Sequence, residues 1–120
     1  DTLPTYLPHI RGGRVRAIAV TMPERVEWLP DVPTVAERGF PGFDANVWYM
    51  VMGPGGLPTE IAARWVAGVN KGLADPAVRA KVRDAGFIPG GGSQEDAANL
   101  LRRDAERYAA IMRTAGIKLD

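Results

Sequence analysis

Cysteine is absent from the 120 residues, and histidine occurs once, as His9. The first absence removes disulfides, thiolate catalysis and cysteine-ligated zinc or iron–sulfur centres together. The second leaves any Ser–His–Asp arrangement dependent on one ring. His9 lies beside Pro8 in a short apolar segment, with no serine or aspartate in a nucleophile motif around it. A structural or surface role is expected for it. Excess charge of one sign is missing too: 15 Lys and Arg against 14 Asp and Glu leave a net charge of +1. That balance supplies no basic footprint for nucleic acid. No apolar run approaches the ~18 residues that a membrane-spanning helix needs. The opening Asp1-Thr2-Leu3-Pro4 has neither the basic start nor the apolar stretch of an export signal.

What is present is an ordinary globular balance, 46% apolar and 24% charged residues, in a length that suits one domain. Tyr6, Leu7 and Ile10 recur at 3–4 spacing, which predicts a short helix or turn over 5–11, stopped by Gly12-Gly13. Val15 to Val20 reads as a strand with apolar residues on both faces, the pattern of a buried parallel strand. Residues 22–33 read as a loop. Thr34 is placed to cap the segment Val35–Arg38, which Gly39 closes. Val47-Trp48-Tyr49-Met50-Val51-Met52 is a second strand, again apolar on both faces.

Three helices are predicted after it. The first starts near Thr59 with Ile61, Trp65, Val69 and Leu73 as its inner stripe. The second begins at Asp75-Pro76, buries Val78 and Val82, and ends at Gly86. Ser93 to Asp96 is a capping-box start for the third, whose inner stripe is Ala97, Leu101, Tyr108, Ile111 and Ala115. Its outer face carries Arg102, Arg103, Glu106 and Arg107, a solvated surface.

Candidate chemistry is sparse. Two Gly-rich loops, Gly53–Gly56 and Gly90–Gly92, precede helix starts, where free N–H groups attract anions. Neither has a P-loop ending or a complete G-x-G-x-x-G, so each reads as an ordinary turn. Trp65 and Trp48 read as core, and Trp28, in a proline-bounded loop, as partly exposed. The carboxylates Glu24, Glu27, Asp31, Glu37 and Asp44 show no pairing suited to acid–base work. The residues alone therefore define an α/β domain with central, mostly parallel strands covered by helices, with no catalytic set, metal site or cofactor motif.

One ordered series of short elements is more specific. Leu7-Pro8-His9-Ile10, Gly12-Gly13, the strand Val15–Thr21, Arg25, Leu29-Pro30-Asp31-Val32-Pro33-Thr34-Val35-Ala36-Glu37, Gly39 and Pro41-Gly42 resemble the periplasmic solute-binding receptors of tripartite tricarboxylate transporters, the Bug receptors. Trp48, Pro54, Gly55, Pro58, Asp75 to Arg79, Ser93 to Asp96 and Ala115-Gly116-Ile117-Lys118 continue the likeness over nearly the whole chain.

The resemblance implies the C-terminal part of a two-lobed periplasmic binding-protein fold of type II. Residues 1–44 would finish the second lobe, and 45–120 would supply a hinge strand and helices returning to the first. It implies a periplasmic receptor that catalyses nothing, captures a small carboxylate or related polar solute and delivers it to a membrane permease. Strand ends are where open α/β sheets build their clefts, so Asp1, Thr21 and Trp48 are the candidate ligand residues. Each has a plainer reading, as a frayed terminus, a strand-end cap and a core residue respectively. Strands apolar on both faces need neighbours on both sides. The isolated chain is therefore expected to dimerise or swap elements. Two other classes stay open: a non-binding interaction module that keeps the receptor surface without its cleft, and a small α/β enzyme.

Overall fold

The computed structural model describes residues 1–117; Lys118, the last residue of the resemblance, lies outside the described residues. Among the described residues four α-helices carry the order, α1 Leu3–Arg11, α2 Thr59–Ala74, α3 Pro76–Asp84 and α4 Gln94–Ala115, with a single 3-10 turn at Ala36–Arg38. The chain divides into two compact units. One is Asp1–Tyr49 with Ala77–Pro89; the other is Met50–Pro76 with the chain from Gly90 onward.

In the first unit α1 begins with a proline in its first turn, where a missing N–H costs nothing. It ends at the predicted glycines, with Gly12 N–H donating to Pro8 O at 3.0 Å and Gly13 N–H to Ile10 O at 3.0 Å. Its one buried side chain is Leu7, 3% exposed. The lone histidine packs edge-on to Tyr6, with ring centres 6.0 Å apart, and its carbonyl accepts from Arg14 N–H. Both contacts suit a structural His9.

α3 closes against the start of α1. Gly86 follows it with φ +86°, and a Cβ built there would lie 3.1 Å from Pro4 Cα. Only glycine combines that left-handed turn with that approach. Tyr49 and Phe87 meet edge to face, with centroids 5.4 Å apart.

The expected strands are not formed among the described residues. The single β contact among the described residues is a parallel bridge between Val20 and Thr34. Residues 15–19 and 47–52 carry no regular secondary structure. Ile18, Val47, Tyr49 and Val51 stay exposed, at 80%, 68%, 72% and 69%. A strand exists through its ladder to a neighbour, and β propensity records packing on a pleated surface. These segments have the residue pattern without the partner strands.

In the second unit the inner faces of the helices differ from expectation. On α2 the covered positions are Ala62, Val66, Asn70 and Leu73, while Ile61 and Trp65 are exposed, Trp65 at 61%. On α4 they are Ala97, Leu100, Asp104 and Arg107, with Leu101, Tyr108 and Ile111 outside. In α3, Val78 is also exposed, and Val82 is half-buried. Each long helix carries an apolar stripe that the unit leaves uncovered, and the sequence pattern alone cannot say which stripe faces in. Trp65 is consequently not a core residue here. The α4 start is as predicted: Ser93 Oγ accepts from Asp96 N–H, and Asp96 accepts from Ser93 N–H.

Candidate functional site

The polar organisation of the first unit centres on the ends of the Val20–Thr34 bridge. Val20 N–H donates to Pro33 O and Val35 N–H to Val20 O, both at 2.9 Å. Thr21, the next residue, uses its carbonyl to accept from Ala45 N–H at 2.9 Å. Its side chain is exposed. The backbone at Val20 and Thr21 is thus fixed by two separate stretches of chain, while the Thr21 side chain is exposed.

Between the two bridged residues runs a closed loop, residues 21–33. Arg25 holds it from inside. Its Nε donates to both oxygens of Glu37, at 3.1 and 3.0 Å, and its Nη1 to Pro30 O at 3.1 Å. Glu37 Oε2 also accepts from Thr34 N–H at 2.7 Å, while Thr34 Oγ1 accepts from Glu37 N–H at 3.0 Å. This is a reciprocal capping box around the 3-10 turn. Thr34, the expected cap, is 1% exposed. The Thr34 N–H first, and then the Arg25 guanidinium, hold the Glu37 carboxyl below its ordinary range.

A second strap ties the loop to α3. Glu27 pairs with Arg83, whose Nε lies 2.9 Å from Oε1, and Trp28 Nε1 donates to Arg83 O at 2.9 Å. The bond from Arg83 lowers the Glu27 pKa. Trp28 is half-buried, as its loop position suggested.

The other two candidates stand differently. Trp48 is half-buried, three residues beyond the Ala45 that bonds Thr21, so the backbone leads it past the bridge. Asp1 is exposed and makes a local bond, its Oδ1 accepting from Thr2 N–H at 2.6 Å. In the same stretch as Ala45, Asn46 Oδ1 is shielded from solvent with no hydrogen-bond partner among the described residues.

Sequence reasoning named Arg25, Glu27 and Glu37 but missed the Arg25–Glu37 and Glu27–Arg83 pairs. For Glu37 the signal existed, since Thr34-x-x-Glu37 is a capping-box spacing. Glu27 and Arg83 stand 56 positions apart, and no local pattern joins them. In the second unit, Asn70 was missed as well. Its amide donates to Gly92 O at 2.9 Å and accepts from Gly92 N–H at 3.0 Å. That pair of hydrogen bonds ties the Gly90–Gly92 loop to α2 and occupies the Gly92 N–H, in keeping with the ordinary-turn reading. Among the described residues no group of His, Asp and Glu is arranged to hold a metal ion. No described helix is long and apolar enough to cross a membrane.

The chain belongs to the tripartite tricarboxylate transporter family receptors, whose pattern matches residues 1–117. It is a family of receptors, not of enzymes. Among similar proteins, the "UPF0065 protein in tcbD-tcbE intergenic region" of a Pseudomonas species is 35% identical over 93% of this chain and 34% of its own length. Protein BugT of Bordetella pertussis is 32% identical over 99% of this chain and 36% of its own length. A solved structure described as R. palustris Rpa4515 with adipate aligns with a TM-score of 0.87 and 35% identity. It covers 97% of this chain and 39% of that one. The chain therefore spans about a third of the length of these relatives.

Proposed function

We propose that this chain is part of a periplasmic solute-binding receptor that captures a small carboxylate and hands it to the permease of a tripartite transporter. The observation that carries this reading is the structural likeness, across 97% of the chain, to a protein solved with adipate. In the whole receptor residues 1–44 would complete the second lobe, and 45–120 would form the hinge strand and the helices returning to the first. The segments 15–20 and 47–52 would then be central parallel strands of a type II fold, paired by chain from the rest of the receptor. Their apolar residues on both faces, with Ile18, Val47, Tyr49 and Val51 exposed, support that placement.

Within the cleft, Thr21 is the strongest ligand residue, because its backbone is anchored and its side chain is exposed. Trp48 would lie at the hinge, and Asp1 would contribute through its backbone or carboxylate. The test is calorimetric titration of the longer receptor with adipate, comparing the parent with Thr21→Ala. A several-fold loss of affinity is expected; an unchanged affinity removes Thr21 from the site. The 120-residue chain alone should bind little adipate, since half of the cleft would be missing from it. Binding by it at the receptor's own affinity would overturn the divided-cleft reading.

The uncovered stripe Ile61, Trp65 and Val69 favours a second reading, an interaction module that keeps the receptor surface. The stripe, like the unpaired segments 15–20 and 47–52, predicts self-association of the isolated chain by dimerisation or element swapping. Sedimentation as a monodisperse monomer at high concentration would count against it.

A further inference from the structure

Thr21 is exposed, yet the structure around it is tied at several points. Three kinds of bond converge. The bridge fixes Val20 against Pro33 and Val35. The capping box fixes Thr34, the bridge partner, through Glu37. Arg25, inside the closed loop, reaches the same Glu37 carboxylate and the Pro30 carbonyl.

A single carboxylate therefore accepts from the main chain on one side of the bridge and from the loop on the other. Arg25 presents one fork to two acceptors from different stretches, a geometry that lysine, with one nitrogen, cannot reproduce. Val26, next to Arg25, is buried at 6% exposure and seats the loop from the apolar side.

We propose that Arg25 and Glu37 form a latch that sets the position of Thr21 at the ligand site, acting as positioning residues and not as ligands. The inference rests on the reading of Thr21 as a ligand residue. Arg25 Nε and Nη1 and both Glu37 oxygens are engaged with each other and with main chain. The path from latch to site is short: Glu37 to Thr34, Thr34 to Val20 across the bridge, and Val20 to Thr21 along the chain. Preorganising such a loop lowers the ordering cost of binding, so loosening it should weaken the ligand without any ligand contact being removed.

Two measurements test this separately. The first is hydrogen exchange on the 120-residue chain and its Glu37→Gln and Arg25→Lys variants. The Val20 and Val35 amides should exchange roughly tenfold faster in both, through local opening of this region. Amides of α2 and α4 should keep their rates, which shows that the variants remain folded. Unchanged Val20 and Val35 rates would overturn the latch.

The second is a double-mutant cycle on the longer receptor with adipate as probe. Glu37→Gln should weaken adipate several-fold. Combined with Thr21→Ala it should weaken binding no further than Thr21→Ala does alone, the sign of one shared route. Strictly additive losses would overturn the positioning role, because Glu37 would then act elsewhere. If Thr21→Ala alone leaves adipate affinity unchanged, the ligand reading of Thr21 fails and the positioning role with it. The exchange rates still decide whether the latch exists.

Discussion

The loop around the Val20–Thr34 bridge and the helix pair α2 and α4 make opposite use of their residues. The loop is closed from within: Thr34 is buried, and the polar groups of Arg25, Thr34 and Glu37 answer one another. The helices each leave an apolar stripe in water, with Trp65 at 61% and Ile111 at 50% exposure, while the covered face of α4 includes the charged Asp104 and Arg107. Polar capping and turn motifs act over a few residues and are complete wherever those residues are present. An apolar stripe is complete only against another surface. The loop's local chemistry is complete within the chain, and the open stripes of α2 and α4 have no covering surface among the described residues.

The sharpest way to break this comparison is to attack what packing the first unit does contain. Leu7→Ala removes the most buried apolar side chain and should destabilise the unit by about 2–5 kcal/mol, read from urea unfolding followed by tryptophan fluorescence. A loss below ~1 kcal/mol would mean that the first unit, like the second, lacks a consolidated core.

Thr34→Val keeps shape and deletes the hydroxyl that caps Glu37 N–H. A cost of about 1–2 kcal/mol is expected in the same assay. A neutral result would show that Arg25 alone closes the loop.

Acid should then separate the loop from the helix stripes. The Glu27, Glu37 and Asp96 carboxyls all have lowered pKa values, from the Arg83 bond, the Thr34 N–H and the Ser93 N–H respectively. A carboxyl depressed in the folded state contributes stability above its unfolded value, and that contribution disappears as pH falls through the folded one. Urea midpoints should therefore hold from neutral pH down to about 4.3, the ordinary glutamate value, and decline below it. Glu37→Gln should flatten the decline; an unaltered slope would remove Glu37 as a contributor.

The smallest effect belongs to the open stripe. Trp65→Gln should change the stability of the isolated chain by no more than ~0.5 kcal/mol, because its side chain is already in water. Sedimentation of the same variant should show less self-association.

Much of this could be read from residue order. The helix starts at Thr59, Pro76 and Gln94, the Ser93 capping box and the Gly39 turn follow from residues a few positions apart. The family, too, was legible as a series of short motifs. Of the candidate site, Thr21 and the Thr34 cap were visible. The Arg25 latch, 12 positions from Glu37, and the Glu27–Arg83 pair were not, because charge spacing in a loop says nothing about which partner the backbone brings near.

The strand and stripe expectations fared otherwise. Val15–Val20 and Val47–Met52 have the composition of central strands and no ladder among the described residues. Leu101 and Tyr108 have helical spacing and face outward. Sequence by itself determined where this chain turns, caps and coils, since those choices are made by neighbouring dihedrals and nearby hydrogen bonds. Tertiary structure alone decided which apolar stripe is buried, which carboxylate meets which guanidinium, and whether a strand-like segment becomes a strand, because each of these requires a surface contributed from elsewhere.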